Sequence, residues 1–88
     1  MRFFFNLAGA VYDPDNSGVE LTGIAEARHE SVKFIGEMLR DQPDVVWLDE
    51  EVRVEVTNRD RLVLFTVIVV GVDAPVLMKQ PRGIEGVR

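Results

Sequence analysis

The residues of this sequence best suited to chemistry crowd into one short stretch, Tyr12 to Leu21, which holds Asp13, Asp15, Ser17, Gly18 and Glu20. Oxygen-bearing side chains at alternate positions followed by glycine open a calcium loop of the EF-hand kind, which closes on a bidentate glutamate at its twelfth position. Counted from Asp13, that position is Ile24. The clamp is missing, and the residues ahead of the loop read as a strand where an EF-hand has a helix. A turn explains the same residues. Pro14 presets φ, Asp15 or Asn16 can bond a backbone N–H two residues on, and Gly18 can take a positive φ. Asp13, Asp15 and Glu20 are the candidate metal ligands, with the expectation that the chain binds neither metal nor cofactor.

Other chemistry is thinly represented. There is no cysteine, which excludes disulfides, thiolate metal sites and cysteine nucleophiles. His29 is the single histidine, and it falls on the polar flank of a helix, where catalysis would require a positioned partner. Ser31 lies in the apolar stripe of that helix, where its hydroxyl is expected to bond back to a helix carbonyl rather than attack a substrate. Arg28 borders the stripe, its stem covering the edge of the core. The expectation is a protein that is not an enzyme.

A net charge of −5 repels a phosphate backbone, so nucleic acid is not an expected partner. Met1 to Val11 carries a positive charge, an apolar run and small residues, as export signals do, but it is too short and Asn6 interrupts it. No stretch reaches the roughly 18 apolar residues of a membrane span. A cytoplasmic setting away from membranes is the expectation.

The elements that must position these groups are legible from periodicity. Phe3, Phe5 and Leu7 share one parity from Arg2 to Leu7, which marks a strand with one apolar face. A turn at Ala8-Gly9-Ala10 and a return strand from Val11 and Tyr12 would close a hairpin. Val19 to Leu21 reads as a short strand with Glu20 facing water. Thr22 is placed as the cap of a helix from Gly23 to about Arg40, stopped ahead of Pro43. Ile24, Ala27, Ser31, Phe34, Ile35, Met38 and Leu39 form its apolar stripe, with ion pairs expected for Glu30–Lys33, Lys33–Glu37 and Glu37–Arg40. Val45 to Leu48 is an apolar island among acidic residues, with Trp47 expected to plug the core or to serve as a binding anchor. The acidic run of Asp44, Asp49, Glu50 and Glu51 reads as a solvated turn.

Val52, Val54 and Val56 alternate with Arg53, Glu55 and Thr57, a strand with one face in and one out. After "NRDR", Leu62 to Val70 is apolar except for Thr66. An even loop would pair Val56 with Val63, Val54 with Phe65 and Arg53 with Thr66; an odd loop would turn Thr66 into the core. Leu62, Leu64, Ile68 and Val70 then face away from the helix. Burying one such side chain is worth about 1.5 to 3 kcal/mol, so this face is expected to be covered. With Trp47, these residues are the candidate interface of a homodimer, and a different protein partner is the other occupant considered.

The expected architecture is α+β: an antiparallel sheet of about four strands, one long helix on one face, in the order ββαββ. Residues 1–72 form this single domain and residues 73–88 a flexible tail.

The order of the "RFFF" strand, an Asp-to-Gly turn before "VEL", Ala25 and Ala27 on the helix, then "VEVTN" and "LVLFTV", resembles the small bacterial domain-of-unknown-function family 6894. The resemblance covers Arg2 to about Val70. It implies a fold and a bacterial cytosolic setting, and brings no activity or catalytic residue. The family's closing turn usually holds a glycine that "NRDR" lacks. The functional expectation is a non-enzymatic interaction or regulatory module acting as a homodimer; the alternative is a HicB-like antitoxin, with "ELTG" where such inhibitors carry Pro-Asp-Leu-Pro.

Overall fold

The computed structural model describes residues 1–48 and 51–78. Strands β1 (Arg2–Gly9) and β2 (Val19–Glu20) precede helix α1 (Ile24–Asp41), and a 3-10 turn (Pro43–Trp47) leads to β3 (Val52–Thr57) and β4 (Val63–Val69). A last helical turn, α2, spans Pro75–Met78. The fold is α+β, with a four-stranded antiparallel sheet and one long helix in mid-chain. In space the strands lie β2-β1-β3-β4, an order that differs from their order along the chain. The two strands richest in core residues are therefore central.

Parity decides what reaches the core. Phe3, Phe5 and Leu7 of β1 meet Val52, Val54 and Val56 of β3 beneath Ala27 and Ile35 of α1. Phe5 and Phe34 add an edge-to-face contact with ring centroids 6.0 Å apart, worth about 0.5–1.5 kcal/mol beyond the area it buries. Ser31 is fully buried among these groups, and its hydroxyl donates to the Arg28 carbonyl at 2.8 Å, as expected. Ile24, by contrast, is exposed at the first turn of the helix.

The amino-terminal hairpin differs from the expectation. β1 continues through Ala8 to Gly9 because β3 pairs with it there, and the return path is not a continuous strand. It touches β1 at a single bridge, Leu7 to Asp13, and again at β2, where Arg2 faces Glu20 and Phe3 faces Val19. Leu21 lies outside β2, although its N–H still donates to the Met1 carbonyl. The helix cap also shifts. Gly23, not Thr22, holds the cap position. Thr22 turns its N–H and hydroxyl to the Glu26 carboxylate instead, at 2.8 and 2.9 Å, and these bonds lower the Glu26 pKa. Of the expected helix ion pairs, Glu30–Lys33 closes at 3.8 Å; the other two do not form.

Gly36 lies in the exposed middle of α1, and a Cβ built there meets nothing within 4 Å. Gly36→Ala is expected to raise stability by about 0.5–1 kcal/mol, because alanine restricts the unfolded chain and favours the helix. A urea midpoint unchanged or lowered relative to the parent would contradict this.

Trp47 does not plug the core. The island folds as a 3-10 turn in which Val45 enters the core while Trp47 stays 60% exposed. The indole rests on Gly71, where a Cβ would approach its ring to 2.6 Å. Asp49 and Glu50 of the acidic run lie outside the described residues. Within the expected tail, Pro75–Met78 forms a helical turn, and residues 79–88 also lie outside the described residues.

The closing hairpin turns through Arg59, Asp60 and Arg61. Arg61 N–H donates to the Asn58 carbonyl at 3.0 Å, and Asn58 N–H donates to the Leu62 carbonyl at 3.1 Å. This is a turn of the odd, three-residue kind, ending in a residue of positive φ. Alone it would send Thr66 to the core. A bulge restores parity: Thr57 faces Val63 while Val56 faces Phe65, leaving Leu64 as the extra residue. Beyond the bulge, Val54 faces Val67 and Arg53 faces Ile68. The partners thus sit two residues further along β4 than an even loop gives, and each side chain from Phe65 onward keeps its expected face. Ahead of the bulge the expectation is reversed: Val63 lies opposite Thr57 instead of Val56, and Leu62 lies opposite Asn58, on the side of the core valines of β3.

Candidate functional site

The Asp-rich loop folds over the side of the sheet opposite α1. β1 needs a partner between its two contacts with the return path, and Asp15 supplies it. One carboxylate oxygen accepts from Phe5 N–H at 3.0 Å, and the other from Ser17 and Gly18 N–H, both at 2.9 Å. Asp15 N–H donates to Asn6 Oδ1 at 2.9 Å, while Asn6 Nδ2 reaches the Glu55 carbonyl at 3.0 Å and Thr57 Oγ1 at 3.3 Å. Burial alone would raise the Asp15 carboxyl, but the N–H groups of Gly18, Phe5 and Ser17 and the nearby Arg61 charge outweigh it and hold the pKa low.

The candidate metal ligands are not brought together. Both Asp15 oxygens are taken by backbone donors. Glu20 lies on the neighbouring strand, 3.2 Å from Arg2 and 3.1 Å from the N-terminal ammonium. That ammonium, helped by Arg2, lowers the Glu20 pKa against a smaller opposing effect of burial. Asp13 contributes its backbone to the bridge with Leu7. Among the described residues, no group of three acidic or histidine side chains is close enough to hold an ion. His29 is exposed on α1.

Phe4 completes this back surface. Its ring is buried beneath Gly18, and the Arg61 guanidinium stands 4.9 Å from the ring centroid while donating to the Asp15 carbonyl at 3.3 Å. Sequence reasoning missed the roles of Asn6 and Arg61. The signal for Asn6 is a lone amide inside an aromatic strand. Arg61 fills, at φ 65°, the left-handed position where glycine fits most easily. Arg61→Ala keeps the strained backbone and loses the ring contact, so it is expected to cost about 1 kcal/mol. Arg61→Gly relieves the backbone by about as much as it loses, so its urea midpoint should stay near the parent's. A glycine variant less stable than the alanine variant would overturn this account.

The candidate interface residues lie along and beside β4. Leu62 is 61% exposed, Leu64 37%, Ile68 56% and Val70 55%. Val63, Leu48, Val72, Val76 and Leu77 are exposed too, as is Trp47 beside Gly71. The facing row of β3 is charged: Arg53 pairs with Glu51 and, at 2.8 Å, with Glu55, and these bonds raise its already high pKa. Most of the exposed large apolar side chains among the described residues therefore lie on β4, in the segments flanking it or beside Gly71.

These features define a small α+β domain with a self-stapled loop on one side and an apolar edge on the other. Comparison with protein-family models matches residues 2–70 to the family described as "Domain of unknown function (DUF6894)", and the chain belongs to that family. Comparison with curated proteins and with solved structures found no match. Among the described residues no helix is long and apolar enough to cross a membrane.

Proposed function

We propose that this domain is a non-enzymatic interaction module that works as a homodimer, with Leu62, Leu64, Ile68, Val70 and Trp47 at the contact. The observation that carries the reading is the run of large apolar side chains left more than a third exposed along β4. Isolated exposed apolar residues are ordinary, whereas a contiguous set marks an interaction surface. The non-catalytic part is supported by the groups that could have done chemistry: the Asp15 carboxylate is engaged by backbone donors and Ser31 is buried against a helix carbonyl. The bacterial cytosolic setting implied by the family resemblance belongs to the same proposal.

Light scattering on the purified chain at micromolar concentration tests the reading. The expected mass is that of two chains, falling to one for Ile68→Lys. A parent mass of one chain would overturn the dimer and favour the inhibitor reading, in which a different protein occupies this surface.

A further inference from the structure

We infer that two copies join edge to edge through β4, antiparallel about Val67, to make one continuous sheet of eight strands, twice the four of each copy. The inference rests on the homodimer reading and specifies its geometry. Among the described residues β4 is an outer strand, and the backbone groups it leaves without a partner there can be assigned. Antiparallel ladders alternate residues that bond to one side with residues that bond to the other. Leu7 exchanges both of its backbone bonds with Asp13, so the odd residues of β1 turn toward β2 and the even ones toward β3. Ala10 donating to the Glu51 carbonyl agrees with this. On β3, Arg53, Glu55 and Thr57 therefore turn to β1, and Val52, Val54 and Val56 turn to β4. Their partners Val69, Val67 and Phe65 point inward, which leaves the N–H and C=O of Thr66 and Ile68 directed out of the sheet.

Proteins ordinarily guard such an edge with charges or proline. From Leu62 to Val72 there is neither, so copies of a chain of net charge −5 can meet here without facing like charges. The flanks are complementary. Arg61 and Asp73 stand six residues to either side of Val67, so pairing about Val67 brings each arginine toward the aspartate of the second copy. The bulge at Leu64 bends the start of the strand, leaving Phe65–Val69 as its straight part, with Val67 again at the centre. In this register Thr66 bonds to Ile68 of the second copy and Phe65 packs beside its Val69. Phe65, Val67 and Val69, only half-buried in one chain, then share one helix-covered face.

Two measurements test the geometry. Hydrogen exchange on the parent protein should show Thr66 and Ile68 amides protected at high protein concentration and losing protection on dilution. Val67→Cys places two thiols across the twofold, with Cα atoms about 4.5 Å apart, and should cross-link under mild oxidation. Val70→Cys places them about 20 Å apart and should not. A dimeric mass with unprotected Thr66 and Ile68 amides, or with cross-linking at Val70 and none at Val67, overturns the edge pairing and leaves the dimer standing. A mass of one chain overturns both.

Discussion

Asp15→Ala should lower stability by about 2–4 kcal/mol, the largest effect expected of a single surface-loop side chain in this domain. Three backbone donors lose their acceptor at once, those of Phe5, Ser17 and Gly18. A buried donor left unpaired costs about 1–3 kcal/mol. Ser17 is exposed and can turn to water, whereas Phe5 is buried within β1. Asp15→Asn keeps one oxygen and should fall between parent and alanine variant. The pH dependence follows from the depressed carboxyl. Its contribution is complete above the unfolded value of about 3.9 and is lost as pH falls through the lower folded value. The stability gap between the parent and Asp15→Asn should therefore narrow below about pH 4. Urea unfolding at neutral and acid pH measures both effects. A gap that widens in acid would contradict the assignment.

Gly18→Ala should lower stability by about 2–3 kcal/mol for a different reason. Gly18 has φ 73°, a conformation costing about 1–2 kcal/mol for a residue with a Cβ. That Cβ would also stand 2.8 Å from a Phe4 ring carbon and 3.0 Å from the Phe3 carbonyl. The ring could tilt, but the carbonyl belongs to a central strand and cannot move without disturbing the sheet. Both substitutions undo the same turn. Their combined cost, read from the double variant, should fall short of the sum. Full additivity would mean that Asp15 and Gly18 act separately, contrary to the bond between them.

The sequence made the fold legible where one period governs several residues. Phe3, Phe5 and Leu7, the valines of β3 and the stripe of α1 each repeat often enough for packing to have a single answer. Trp47 was not legible in this way. Its island is shorter than two turns, and only the 3-10 path decides that Val45 enters the core. Strand order depends on which strands meet, which alternation within each strand does not encode. The loop was partly legible. Proline, aspartate and glycine announced a turn, but Asp15 standing in for a missing strand is a tertiary fact. Its carboxylate bonds a residue ten positions earlier. The apolar character of β4 was plain from composition, and beyond the bulge, which side chains remain exposed follows from parity; the bulge itself, which leaves Leu62, Val63 and Leu64 all exposed, was not legible.

The turn and the bulge also decide where this hairpin can change in length. Removing one of Arg59, Asp60 and Arg61 leaves a two-residue turn that still closes on Asn58 and Leu62, and every side chain downstream keeps its side. Removing Leu64 alone takes out the extra residue, leaves Thr57 opposite Val63 and Val56 opposite Phe65, and straightens the strand. A residue gained or lost between Phe65 and Val69 is different, because it turns over everything beyond it and exchanges buried for exposed side chains. Length changes are therefore absorbed at the turn and the bulge and not in the strand that follows them.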